Sequence, residues 1–200
     1  TNENDEPISL SEYLEKMPDN QKDIYYISAE TNAQALASPH LEGFKSKKIP
    51  VLIMTDAIDQ FWLPMIGSFK EKKFTSITQG KINLDDLNSK DKDKKSDNKD
   101  QKEKQDKEYV DLIAQLKVVL GEQVKDIRLS SKLTDSPVCL VADEGDMDIA
   151  MEQLMAQRDT NYKGAPRILE INGDHSLIKN MKSLISKKEN NDLVNDAGTL

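Results

Sequence analysis

The sequence contains one cysteine, two histidines and eight glycines in 200 residues, and aromatic side chains make up only 5% of it. Each scarcity removes a class of function. Cys139 has no partner for an internal disulfide. It lies in Pro137-Val138-Cys139-Leu140-Val141, which reads as a buried strand with the thiol as a small core hydrophobe. That usage fits a reducing, cytoplasmic compartment. His40 and His175 have neither a cysteine nor a second histidine beside them, which argues against a zinc site. Each falls near a helix start and reads as structural or solvent-exposed. The glycines are scattered and no Gly-Lys-Ser/Thr triplet occurs, so a phosphate loop is not expected. No apolar run approaches the ~18 residues needed to span a bilayer. Thr1 to Pro7 has neither the basic nor the apolar region of a signal peptide, and without an initiator Met the chain reads as an excised fragment. Positive charge is also short: the formal net charge is -8, so no basic face for nucleic acid is expected.

What is present is an alternation of helical and strand patterns on either side of a charged stretch. Residues 88–108 are nearly all Lys, Asp, Asn, Gln, Glu and Ser, with no apolar side chain, and read as a linker or an exposed helix start. Asp91, Asp93 and Asp97 do not make a calcium loop, because Lys95 takes a ligand position and the turn glycine is missing. The expected division is 1–87, 88–108 and 109–200. In the first part, a helix through Leu10, Tyr13, Leu14 and Met17 stops at Pro18. Strands follow at Asp23 to Ser28, Val51 to Met54 and Phe74 to Thr78, with helices at Ala33 to Ala37 and after Asp56 or Asp59. Strands separated by helices predict a small, three-layer-like α/β unit with parallel pairing. In the second part, Tyr109 to Leu120 has helical spacing and Gly121 ends it. Strands at Val124 to Leu129, Val138 to Val141 and Arg167 to Ile171, and a helix from Ser176, make this part α+β.

Two motifs carry candidate chemistry. Met147, Met151 and Met155 recur every fourth residue, with Leu154 between the last two, and would form one apolar stripe on a helix. Asp143, Glu144 and Asp146 precede it, where carboxylates favour a helix N-terminus. Methionine is long and polarizable and fits many apolar shapes, which suits a surface that grips varied partners. The stripe equally fits packing into its own core. The second motif is Asp59-Gln60-Phe61-Trp62-Leu63-Pro64-Met65-Ile66. Adjacent residues differ by about 100° around a helix, so either Phe61 or Trp62 points away from the local core. Beside Met65, the exposed ring would add to a binding surface. Burial of both rings against a neighbour is the alternative.

Several segments together resemble the bacterial branch of the ninety-kilodalton heat-shock chaperone family. They are Ile24-Tyr25-Tyr26-Ile27, Ser38-Pro39-His40-Leu41-Glu42, Ile58-Asp59-Gln60-Phe61-Trp62, Val124-Lys125-Asp126-Ile127-Arg128-Leu129, Leu133-Thr134-Asp135-Ser136-Pro137 and Asp174-His175-Ser176-Leu177-Ile178. They occur in the family's order over residues 8–185. The resemblance implies the distal end of a middle domain followed by a C-terminal dimerisation domain. It implies that Met147, Met151, Leu154 and Met155 lie on an exposed helix. That helix would pair with an aromatic patch at Phe61, Trp62 and Met65 to hold unfolded client proteins. ATP and magnesium would bind in an N-terminal domain outside this chain, so the fragment itself would have no catalytic residue, cofactor or metal. Clamp motion driven by that domain would change the width of the cleft. The parent would be a homodimer. Here, however, the helices of the family's dimer bundle do not follow Ile185, which puts dimerisation of this chain in doubt. Gln60 stands where many members have an acid, removing one negative charge from the patch. Two other readings stand beside this one. In the first the methionine stripe is a subunit interface of a structural assembly domain. In the second the chain is a small α/β enzyme or nucleotide-binding protein, for which no pocket motif is visible.

Overall fold

The computed structural model describes residues 6–84, 107–159 and 162–186. Most of the charged stretch 88–108 lies outside them. Among the described residues are two sheets, of four and three strands, and seven α-helices.

The first sheet is ordered β2-β1-β4-β3 and follows directly from the alternation in the sequence. β1 (Ile24–Ser28) pairs in parallel with β2 (Leu52–Met54) on one side and β4 (Lys72–Ser76) on the other. A central strand is covered on both faces. Tyr25 and Ile27 point to one face, where they pack with Ile53, Ile77, Ala35 of α2 (Asn32–Leu36) and Phe44 of α3 (Glu42–Ser46). Ile24 and Leu52 point to the other, where Tyr13 of α1 (Leu10–Lys16) covers them. Ser9 starts α1 with a reciprocal cap: its hydroxyl accepts from the Glu12 amide at 3.2 Å and its own amide donates to the Glu12 carboxylate at 2.8 Å. The Tyr13 hydroxyl donates to Pro50 O at 2.7 Å and accepts from Gln21 Nε2 and the Tyr25 amide at 2.9 and 3.1 Å, tying α1 to β1.

α4 (Asp59–Ile66) crosses between β2 and a hairpin. Its end is set by Gly67, whose φ of 67° favours glycine. The chain then turns through the short β3 (Ser68–Phe69) and Lys70-Glu71, both at positive φ, into β4. The sequence predicts one strand at Phe74 to Thr78. The strand instead runs Lys72–Ser76 and has a hairpin partner, hidden in the sequence because Lys-Glu carries none of the Asn-Gly chemistry that marks such a turn.

The second sheet is ordered β5-β7-β6. β7 (Arg167–Ile171) is central, parallel to β5 (Val124–Leu129) and antiparallel to β6 (Val138–Val141). α5 (Val110–Leu120) and α7 (Ser176–Ser186) cover one face, where Leu112, Leu116, Ile178 and Met181 meet Ile127 and Ile171. His175 lies just before α7, and its Nδ1 accepts from the Leu177 amide at 3.1 Å. The opposite face carries Leu133, Cys139, Val141 and Ile168, together with the polar groups that join the two sheets.

That junction is built mostly from hydrogen bonds. The Ala142 amide donates to Thr78 O at 2.9 Å and the Gly80 amide to Ala142 O at 2.8 Å, so the chain beyond β4 bridges to the chain beyond β6. At the start of α3, Glu42 accepts from the amides of Thr134, Asp135 and Ser136 and from the Ser136 hydroxyl. Its neighbour Gly43 lies so close to the second part that an added Cβ would sit 2.5 Å from Lys132 O. Such an approach admits only glycine. Gly43→Ala is therefore expected to lower stability by about 1–3 kcal/mol, read as a fall in urea midpoint with the far-ultraviolet circular dichroism of the folded chain retained.

Candidate functional site

The methionine motif and the aromatic motif come to face one another across the junction. The first lies largely on α6 (Ile149–Arg158) and the second on α4. Between them runs a groove of two hollows. The larger, about 430 Å³, has Leu63, Pro64 and Tyr26 on one wall and Met147 and Met151 on the other. The smaller, about 270 Å³, lies beyond the carboxyl ends of β1 and β2 and is bordered by Leu154 and Gln157 of α6. Gln60 borders both.

α6 does not use its methionines as its main anchor. Met147 is 39% exposed and Met155 38% exposed, while Met151 and Leu154 are half-buried. None of them joins the buried core clusters of either sheet. The buried residue of α6 is Glu152. Its carboxylate is ion-paired with Arg167 on β7 and accepts from the Ala165 amide at 2.7 Å. Gly164 passes against that carboxylate, where a Cβ would lie 3.1 Å from it. The helix start is fastened across the junction as well. Asp148 accepts from the Ala150 amide at 2.9 Å with one oxygen, and from Ser76 Oγ and Thr78 Oγ1 at 2.5 and 2.8 Å with the other. Polar ties hold α6 in place and leave its apolar stripe partly exposed, with Met147, Met151 and Leu154 lining the groove and Met155 outside that lining. Packing of the stripe into its own core is thereby replaced by partial exposure.

Two details differ from the sequence reading. Met147 precedes the helix, which begins at Ile149, so it reaches the groove from the entry loop. The cap is Asp148, whereas Asp143 and Asp146 instead bind Lys125 at 2.8 and 2.9 Å. With several acids in the run 143–148, composition alone did not say which would cap.

On α4, Phe61 is the ring that points outward, at 44% exposure, with Met65 at 85%. Trp62 is half-buried: its indole N–H donates to Asp59 Oδ1 at 2.7 Å, and its ring meets Phe74 edge-on at 5.8 Å. Phe61 and Met65 lie four apart on one face, while Gln60, Leu63 and Pro64 share the face that lines the groove. Phe61, Trp62 and Met65 of the predicted aromatic patch line neither hollow, and Leu63, Pro64 and Tyr26, not singled out from sequence, form the wall instead. The signal for Leu63 and Pro64 was their spacing of three and four from Gln60.

Behind the groove the junction is charged and buried. Glu170 on β7 accepts from Arg128 Nη2 and Nε at 2.8 and 3.0 Å and from Ser130 Oγ at 3.0 Å, with Lys132 Nζ at 3.6 Å. Arg128 continues to Gly80 O at 2.7 Å and Lys132 to Ile77 O at 3.0 Å. Burial pulls the Lys132 ammonium below its ordinary range, against the opposing pull of Glu170. Burial likewise pushes the Cys139 thiol up to about 12, which favours the protonated form over the reactive thiolate. His40, buried in a short turn (Pro39–Leu41) with Nδ1 unpartnered, is pulled down to about 4 by desolvation and by Lys132, against Glu170, Asp148 and Glu42. Burial works to raise the Glu42 carboxyl, but its hydrogen bonds from Ser136, Asp135 and Thr134 prevail and hold it below its usual range. Among the described residues no group of three or more His, Cys, Asp or Glu is placed to hold a metal ion. Nor is any helix there long and apolar enough to cross a membrane.

All 200 residues match the family described as Hsp90 protein, and the chain belongs to that family. It is similar to proteins named chaperone protein HtpG. The one from Roseobacter denitrificans is 42% identical over 170 residues, covering 85% of this chain and 27% of that protein. The one from Streptomyces coelicolor is 36% identical over 181 residues, covering 90% and 27%. The one from Wolbachia pipientis is 38% identical over 185 residues, covering 92% and 28%. The chain thus spans about 27% of the length of the curated relatives it matches.

Two outcomes follow from this geometry. Asp148→Ala removes the cap and the ties to Ser76 and Thr78, so the amides of 150–155 are expected to exchange with deuterium at least tenfold faster, at a cost of about 1–2 kcal/mol. The second concerns His40. Because its folded value lies below its unfolded one, its contribution is complete above about pH 6.5 and is lost as pH falls through 4. His40→Leu should therefore lose less stability than the parent between pH 7 and pH 4, by about 2–3 kcal/mol, in paired urea titrations.

Proposed function

We propose that this chain is the client-binding part of an ATP-dependent molecular chaperone and that the groove between α4 and α6 is where it holds unfolded polypeptide. The observation that carries the reading is the partial exposure of Met147, just before α6, and of Met151, Leu154 and Met155 on it, with the helix fastened by polar groups. Apolar surface left open beside a cleft, rather than sealed in a core, is what a binding surface requires. Phe61, Met65 and the half-buried Trp62 would add apolar contact on the neighbouring faces of α4. Burial of client side chains at about 25 cal/mol per Å² is non-directional, which accounts for tolerance of many sequences. The flexible thioethers fit different shapes at small cost.

In the whole protein, ATP and magnesium would act in a segment outside this chain, and no side chain here is given a catalytic role. The ties across the junction favour motion of this unit as a body over widening of its own groove. Homodimerisation belongs to the parent protein on this reading, and a cytoplasmic location accords with the free thiol of Cys139.

The test is binding of a permanently unfolded, fluorescently labelled polypeptide to the folded chain. Met151→Ser with Met155→Ser is expected to weaken binding at least fivefold, with the urea midpoint changed by less than about 1 kcal/mol equivalent. Unchanged affinity in a folded variant would refute the reading. Loss of self-association in its place would identify the stripe as a subunit interface.

A further inference from the structure

The groove is apolar at one end and acidic at the other. In the larger hollow, Leu63, Pro64, Met147 and Met151 offer apolar contact. In the smaller one, Glu30 and Asp56 stand at the ends of β1 and β2, and among the described residues no lysine or arginine lines either hollow. Neither carboxylate is consumed by a cation in the lining. Glu30 accepts from the side-chain Nε2 of Gln157 at 3.3 Å, and Asp56 from the Ile58 backbone amide at 3.1 Å. The acids of the larger hollow are engaged differently: Asp146 is held by Lys125, and Asp148 by Ser76 and Thr78.

Resting on the client-binding reading above, we propose that the groove selects extended segments carrying an apolar side chain and, about three residues away, a lysine or arginine. The apolar side chain would occupy the methionine end and the basic one the Glu30–Asp56 end. The spacing follows from the helix that forms one wall. From Met151 to Gln157 the axis advances about 9 Å at 1.5 Å per residue, which an extended chain of polyproline-II type covers in three residues at about 3.1 Å each, returning the side chain to the same side. Charge complementarity supplies the choice of occupant. An acidic segment would face two uncompensated carboxylates, and a neutral one would gain nothing there. A basic residue also keeps its charged head near water while its stem lies along Ala29, Ala57 and Leu154.

The experiment uses three labelled peptides, otherwise identical and unstructured, with Leu at one position and Lys, Gln or Glu three positions on. Fluorescence anisotropy with the 200-residue chain should show the Lys peptide binding about three- to tenfold tighter than the Gln peptide, and the Glu peptide weakest. In the Glu30→Gln, Asp56→Asn double variant, which keeps both hydrogen-bond acceptors, the Lys-to-Gln ratio should fall to near one while Gln-peptide affinity is unchanged. A ratio near one in the parent chain would overturn the inference. So would a ratio that survives in the double variant, which would assign the preference to the chain's overall negative charge. Met147→Ser with Met151→Ser separates the two levels. If it weakens all three peptides while the charge series is flat, the groove binds clients without this selectivity. If it weakens none, the groove is not the binding surface and both readings fall.

Discussion

The structure depends on one buried carboxylate. Glu170 sits on the central strand of the second sheet, 3% exposed, on the face turned toward the first sheet. A lone carboxylate there would cost several kcal/mol to desolvate. It is stable only because Arg128, Lys132 and Ser130 surround it, and those two cations are in turn satisfied by carbonyls of Gly80 and Ile77, beyond β4. Neither part of the chain completes the charge balance alone. The second part brings the ions, and the first supplies the last acceptors. Breaking such a set by removing one member leaves an uncompensated charge, so the junction is far less tolerant of change than the apolar layers on either side.

This constraint sets the groove. α4 hangs from the first sheet and α6 from the second, and their separation is fixed by what lies between the sheets. Asp148 and Glu42 add further ties on either side of the ion cluster. The polar fastening has a second effect. A helix that docked through its apolar stripe would hide it, as most amphipathic helices do. α6 docks through Asp148 and Glu152, so the stripe remains available. Holding a greasy surface open by polar means resolves the conflict between folding, which buries methionines, and binding, which needs them accessible.

Much of this was legible in the sequence, and the remainder fails for identifiable reasons. β1, β2, β5, β6 and β7 stand out as apolar runs or alternations, and parallel pairing follows from helices placed between strands. The capping box of α1 and the stop at Gly121 are written in local residues. The β3–β4 hairpin is hidden because Lys70 and Glu71 take positive φ without glycine or asparagine. At the site, periodicity located the methionine stripe and foretold that one of Phe61 and Trp62 would turn outward. It could not choose between them, because the choice rests on Asp59 accepting the indole N–H and Phe74 arriving beneath the ring from a later strand. Lys132 and Glu170 gave no sign of burial, since one-dimensional pattern does not show which charges meet across a tertiary junction.

The placement of Trp62 gives the molecule a built-in optical gauge. It is the one tryptophan in the chain. Its ring is clamped between a carboxylate and a phenyl edge, one residue from the lining of the groove. Emission from that indole senses how wet its surroundings are, so arrival of a polypeptide at the neighbouring wall would register as a colour shift without any added label.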